Sequence, residues 1–345
     1  MSSPALQKWK GILRWLPGVL ISAIALYAVF RLVQMKDFAM AFSTASWKFI
    51  VLVLFFEVTS MMVRGKAWQT LLGNKVTWTQ AFFGVSEGYL LNNLFPLRAG
   101  EIGRSIFVGR SSGLGMFHVL STIVIERAFD IAMAAILVLL TLPLVVGMTW
   151  VKVVATTILV LVILGLFALF LIARYKEKVS FWIEKISPRW KVLEKYIVPQ
   201  LTKLMDGLSS LTNPAQFLLS FFWIALSWVM WVYMYDLLIW QLLPAAPFWN
   251  GAFIGSILAL GVAIPSAPAA IGVYEASMVA AVVILGGKES QALAYAILFH
   301  VLQFIVSGVF GFWGLIRDGQ SFSSLRANLH LGQNVEKLEE SENDN

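Results

Sequence analysis

Five stretches of this chain, residues 131–151, 153–173, 207–235, 251–274 and 301–316, contain no Asp, Glu, Lys or Arg. About 20 consecutive apolar residues suffice to carry a helix across the hydrocarbon of a bilayer. Charged residues make up only 13% of the 345 residues, whereas a soluble domain carries about 25%. A chain so poor in water-facing side chains is no secreted, soluble or nucleic-acid-binding domain. The fold class is all-α: a polytopic integral membrane protein.

The same scarcity makes the remaining charges informative. The formal charge of +7 reads as cytoplasmic loops obeying the positive-inside rule. The N-terminal Lys8, Lys10 and Arg14 precede an apolar run from Trp15, and the small-x-small site Ala23-Ile24-Ala25 lies inside that run. This is a retained first span, about Trp15–Val33, and not a cleaved leader. A second span covers about Trp47–Val63, and Arg64, Lys66 and Lys75 return the chain to the cytoplasm. Helices over about Met116–Val146 and Val151–Ala173 follow, joined by a turn near Gly147-Met148-Thr149. Residues 174–211 carry eight Lys/Arg against four Asp/Glu and are cytoplasmic. Phe181, Trp182, Ile186 and Trp190 fall on an apolar stripe there, which suits interfacial helices; a solvated basic linker accounts for the segment equally well.

Counting back from that basic segment puts residues 98–110 on the cytoplasmic side as well. Residues 80–113 then enter and leave from one face as a re-entrant hairpin, broken near Pro96. A fifth span, about Pro214–Trp240, runs outward. Residues 251–287 form a second, opposed hairpin: an apolar half-helix to Ile264, a break at Pro265-Ser266-Ala267-Pro268, and a half-helix over Ile271–Leu285. A last span over Gln291–Ile316 ends beside Arg317 and Arg326. The ledger closes with six full spans, two opposed hairpins and both termini in the cytoplasm. The membrane domain covers residues 1–319. The polar tail, residues 320–345, ends with five acids against one lysine over Glu336–Asn345 and is expected to be disordered.

Ionisable groups in hydrocarbon cost on the order of 2.5–3.5 kcal/mol each on insertion scales, so those that persist are paired, hydrated or useful. Glu126 and Asp130 lie one helical turn apart with Arg127 between them. Arg127 neutralises one carboxylate and leaves the other for another element. The cluster is either a structural ion pair or the polar lining of a lipid or ion path. The first hairpin supplies Glu87, Asn92, Asn93, Arg98, Glu101 and Arg104. A guanidinium grips phosphate through paired hydrogen bonds, and Gly100 and Gly103 allow close backbone approach. Arg98 and Arg104 therefore suit a phosphate, or serve as cytoplasmic anchors. In the second hairpin, Ser266 and Pro268 suit a helix start, Gly272 suits a break, and Glu275 lies near the new N-terminus. Broken helices at mid-membrane hold polar substrate groups in transporters. Glu57, Asp236 and His300 read as lone, satisfied packing residues.

The chain lacks cysteine and has three histidines, so no metal site and no cofactor are expected. It carries no Gly-x-x-x-x-Gly-Lys loop, Gly-x-Ser-x-Gly elbow or His-Glu-x-x-His, and catalysis of its own is not expected.

Three segments together carry a resemblance: Glu87-Gly88-Tyr89-Leu90-Leu91-Asn92-Asn93-Leu94-Phe95-Pro96-Leu97-Arg98-Ala99-Gly100-Glu101, then Glu126-Arg127-x-x-Asp130, then Pro265-Ser266-Ala267-Pro268-Ala269-Ala270-Ile271-Gly272-Val273-Tyr274-Glu275. In order and spacing they resemble the flippase-like family named for the transmembrane region of lysylphosphatidylglycerol synthase, over about residues 10–320. The resemblance implies a protein of the prokaryotic inner membrane that moves a lipid between leaflets. The larger synthases add a cytosolic domain that charges phosphatidylglycerol with lysine. Only a short acidic tail follows the last span here, so aminoacyl transfer by this chain alone is not expected. The family usually has Gly-Gly where this chain has Ala269-Ala270, which narrows backbone approach at that loop.

The expected function is translocation of a phospholipid or polyprenyl-phosphate lipid through a polar groove, with the tails left in the bilayer. Asn92, Asn93, Arg98, Arg104 and Arg127 would meet the head group. Glu87, Glu101, Glu126, Asp130 and Glu275 would balance the arginines, bind a cationic portion or carry a coupling proton. The alternative is a subunit of a lipid-modifying enzyme for aminoacyl or glycosyl transfer. Expected partners are anionic or lipid-linked phosphate lipids and a lipid-synthesis enzyme, with no nucleic acid.

Overall fold

The computed structural model describes residue 27 and residues 46–95, 99–145, 149–186, 198–264 and 266–318. Outside the described residues lie the expected first span (apart from Tyr27), Pro96, Arg98, Pro265, Trp190, the tail, and the side chains of Trp182 and Ile186. The described residues form eleven α-helices and no strand. They are α1 (Trp47–Leu71), α2 (Trp78–Leu94), α3 (Ala99–Ser111), α4 (Met116–Val145), α5 (Thr149–Arg174), α6 (Lys176–Ile186), α7 (Val198–Gly207), α8 (Pro214–Leu242), α9 (Trp249–Val262), α10 (Val273–Ile284) and α11 (Glu289–Arg317). Short 3₁₀ turns occur at Leu208–Leu211 and Pro268–Ala270.

α4, α8, α11 and residues Val153–Arg174 of α5 are long and apolar enough to cross a membrane. α5 leaves Leu161, Leu164 and Phe167 exposed on its outer side, and a helix apolar all round and bare in water is one made for lipid. Local chemistry sets several boundaries. Asn213 accepts from the amides of Ala215 and Gln216 at 3.1 and 3.2 Å, with Pro214 in the first helical position, to start α8. Thr77 and Gln80 form a reciprocal capping box that starts α2.

The first correction concerns α1. The hydropathy drop at Arg64 ends the expected span at Val63, yet the helix runs on to Leu71. Ala67, Trp68 and Leu71 on this extension are buried in one apolar cluster with Val85 of α2, Val108 of α3 and Val119 and Ile123 of α4. Packing of this face continues the helix past its charges, so Arg64 is an interior residue and no loop anchor.

Within the two segments read as hairpins, α2 ends at Leu94 and α3 begins at Ala99, and α9 ends at Val262 and α10 begins at Val273. α2 and α3 lie antiparallel, and an added Cβ at Gly84, Gly88 or Gly100 would press on Val108, Arg104 or Asn92 respectively. These contacts recur every four residues along α2, one per turn, with a glycine at each crossing. None of α2, α3, α9 and α10 exceeds 17 residues, roughly 25 Å at 1.5 Å per residue, short of the about 30 Å hydrocarbon core. The Pro268–Ala270 turn of the second pair packs on α2, and α11 packs along α2. The two pairs therefore share one wall.

Candidate functional site

α4 carries Glu126, Arg127 and Asp130 among otherwise apolar turns, and three neighbouring helices answer them. Arg104 of α3 forms an ion pair with Glu126, and both side chains are all but inaccessible. Arg64 of α1 donates to Asp130 Oδ1 at 2.6 Å and lies 3.6 Å from Glu126. Arg127 reaches Glu101 of α3 at 2.8 Å and Asp130 Oδ2 at 3.1 Å. Trp228 of α8 donates its indole N–H to Asp130 Oδ1 at 3.0 Å. Three arginines thus meet three carboxylates, a net charge of zero, which is what lets them stay out of water. The Arg104 guanidinium also lies over the Trp68 ring, 4.4 Å from its centre, and the Trp68 indole donates to Thr122 at 3.1 Å.

One side of this network opens on a cavity of about 290 Å³. Arg64, Arg127 and Asp130 face it together with Asn92 and Asn93 of α2, Ser227, Trp228 and Trp231 of α8, and Gln303 and Ser307 of α11. Glu57 of α1 closes it, one carboxylate oxygen buried without a hydrogen-bond partner. Glu57, Ser60, Met61 and Arg64 all line the cavity; their i, i+3, i+4, i+7 spacing is one helix face. His300, Gln303 and Ser307 share a stripe on α11 by the same rule.

The second broken pair builds a smaller site. Glu275, three residues into α10, accepts from the Gly272 amide at 2.6 Å, and its other oxygen lies 2.6 Å from His300 Nδ1. His300 Nε2 lies 2.9 Å from the Ala269 carbonyl oxygen. Tyr274 stacks on the imidazole at 4.2 Å, and its hydroxyl lies 3.3 Å from that of Tyr235. Ala269 and Ala270 have φ of +57° and +55°, and Gly272 has +87°. The left-handed region costs an L-residue roughly 1–2 kcal/mol, so the two alanines are held under strain where glycine would be at ease.

Several expectations change. Arg104, expected at the head group, lies behind the cavity wall with its charge taken by Glu126. Gly100, expected to let a phosphate approach the backbone, instead lets α2 approach: its amide donates to Asn92 Oδ1 at 2.9 Å and ties α3 to α2. Asn93 spans to Ser307 at 2.8 Å. Glu87 lies away from the cavity, buried without a hydrogen-bond partner and accommodated by Gly314 of α11. Ser266 and Pro268 do not start α10: Pro268 opens the 3₁₀ turn, and the helix begins after Gly272. Asp236 is a satisfied packing group, accepting from the Gly251 amide at the start of α9 at 3.0 Å. His300 is satisfied too, but it is not a lone group: Glu275 and the Ala269 carbonyl partner its two ring nitrogens. Arg64, Glu57 and Trp228 were missed as site residues. The signal for Glu57 and Arg64 is the polar face of α1, obscured because Arg64 looks like an ordinary flanking charge; Trp228 on α8 has no such signal among the abundant tryptophans.

A family model described as the lysylphosphatidylglycerol synthase TM region matches residues 15–311, a stretch that contains every element of the network and both broken pairs. A "UPF0104 membrane protein" of Methanothermobacter thermautotrophicus is 26% identical over 296 residues, covering 82% of this chain and 85% of the relative. The apolar helices and both likenesses agree on a multi-pass membrane protein, and the match over most of its length places this chain in the family of the lysylphosphatidylglycerol synthase TM region.

Proposed function

We propose that the protein is a membrane lipid translocase of the flippase or scramblase kind. Head groups of an anionic phospholipid or a polyprenyl phosphate pass through the cavity while their tails remain in the bilayer. The observation that carries this reading is the cavity wall: arginine, asparagine, serine and glutamine side chains converge on space enclosed by helices whose outer faces are apolar. Because the six-residue network is neutral, it attracts an anion only by exchanging partners, Arg64 or Arg127 releasing Asp130 as phosphate arrives. A passage must hold its cargo weakly enough to let it leave, and pre-paired arginines do that.

In this reading the site stands in a prokaryotic inner membrane with cytoplasmic termini, and the chain performs no covalent step of its own. A lipid-synthesis enzyme would supply or consume the lipid. The test is leaflet exchange of fluorescent phosphatidylglycerol in proteoliposomes, with Arg64→Ala and Glu126→Gln for comparison. Exchange well above protein-free vesicles, reduced in both variants, is expected. Equal exchange with and without protein ends the translocase reading. A changed lipid composition by mass spectrometry, with no change in sidedness, would favour an enzyme subunit instead.

A further inference from the structure

His300 has two hydrogen-bonding neighbours, and they constrain where its protons are. A carbonyl oxygen only accepts, so Nε2, 2.9 Å from Ala269 O, carries hydrogen. The 2.6 Å separation of Nδ1 and Glu275 Oε1 requires one more proton between them. The other carboxylate oxygen already accepts from the Gly272 amide. Both contacts are met when the pair holds two protons, one more than a neutral imidazole beside an ionised carboxylate. Loss of the shared proton forces a choice. Either two lone pairs face each other at Glu275, or the tautomer flips and the bond to Ala269 is lost. That second bond restrains the two left-handed alanines, and the turn bearing them packs on α2, which presents Tyr89, Asn92 and Asn93 to the cavity.

We propose that the Glu275–His300 pair is a proton-binding site that couples head-group passage to proton movement. This rests on the translocase reading and adds its energy source. One proton taken up at the Nδ1–Oε1 position changes the pair from −1 to neutral and locks the turn; its release frees the turn against α2. The groups facing this site are Tyr274 of α10, stacked on the ring, Tyr235 of α8, and Glu57 of α1 across the cavity end lined by Gln303. The cavity adds Arg64, Arg127 and Asp130, and α2 brings Glu87 against the far end of α11. α9 has no titratable side chain.

The experiment uses the whole chain in vesicles of phosphatidylethanolamine and phosphatidylglycerol with a trace of fluorescent phosphatidylglycerol, a trapped pH dye, and a gradient of one pH unit. With one proton per lipid, that gradient supports up to about a tenfold leaflet asymmetry. The expected result is an asymmetry above that of protein-free vesicles, reversing with the gradient and accompanied by dye-reported proton movement. It is lost in His300→Gln and Glu275→Gln. Circular dichroism and size-exclusion profiles that match the wild type show that both variants fold, so that the lost asymmetry reports the lost coupling. Symmetric exchange by the wild type under the gradient overturns the coupling and leaves the translocase standing. Variants that still accumulate lipid overturn this site. No exchange in either condition overturns both readings. Nitrogen-15 spectra of the His300 imidazole in His118→Gln/His330→Gln protein, followed against pH, give a second measure: a single ring proton beside an ionised carboxylate at every pH, with no second proton taken up on acidification, overturns the proposal.

Discussion

Arg104 on α3 and Glu126 on α4 form an ion pair sealed from solvent, the Glu126 side chain at 0% and the Arg104 side chain at 2% exposure. It fastens the first broken pair to the central helix. Taking one partner away leaves a bare charge in the interior, which costs roughly 3–5 kcal/mol. Arg104→Met and Glu126→Leu are each expected to lower the Tm sharply, and the double substitution to recover much of the loss. Tm measured on purified protein in detergent checks this; a double variant as unstable as the sum of the singles would contradict it.

The left-handed alanines make a prediction of opposite sign. Ala269→Gly and Ala270→Gly relieve backbone strain and are each expected to stabilise by about 1 kcal/mol. Since Ala269 bonds His300 through its carbonyl, neither substitution removes a side-chain contact of that bond. A fall in Tm would show that the methyl groups themselves are packed to advantage.

Glycine contacts in the first broken pair separate packing from composition. A Cβ at Gly100 would overlap the Gly88 carbonyl and crowd Asn92, whereas one at Gly165 on α5 meets nothing within 4 Å. Gly100→Ala should cost about 1–3 kcal/mol through overpacking, and Gly165→Ala should be neutral or slightly favourable because alanine is the better helix former. The ratio of monodisperse to aggregated protein in size-exclusion chromatography reads the difference.

Asp130 takes hydrogen bonds from Arg64, Arg127 and Trp228; Asp130→Asn keeps the size of the side chain, replaces one accepting oxygen by a donor that releases one of these partners, and leaves one positive charge uncancelled on the cavity wall. Anionic lipid should then bind more tightly and leave more slowly. Native mass spectrometry is expected to show more retained phosphatidylglycerol, and the leaflet-exchange assay a slower rate. Unchanged retention would mean that the Asp130 charge is not felt in the cavity.

Helix extents were largely legible in the chain because hydropathy is a local property. α4, α8 and α11 fall within two residues of their expected ends, and the breaks announce themselves through proline and glycine. The fate of single charges was not legible in the same way. Arg64 and Lys66 follow an apolar run just as a membrane flank does, and nothing nearby in sequence shows that Trp68 and Leu71 will be buried beyond them.

The sequence by itself determined that the chain lives in a membrane, where its long helices run, which family it belongs to, and that Glu126, Arg127 and Asp130 share a helix. Those properties depend on neighbours within a few turns. The tertiary structure alone decided that Arg104 is sealed inside, that Arg64, 66 residues from Asp130, completes a neutral network, and that His300 sits between Glu275 and a strained carbonyl. The reason is physical: the cost of placing a charge in a low-dielectric interior is set by whichever group stands a few ångströms away, and the fold chooses that group from anywhere along the chain.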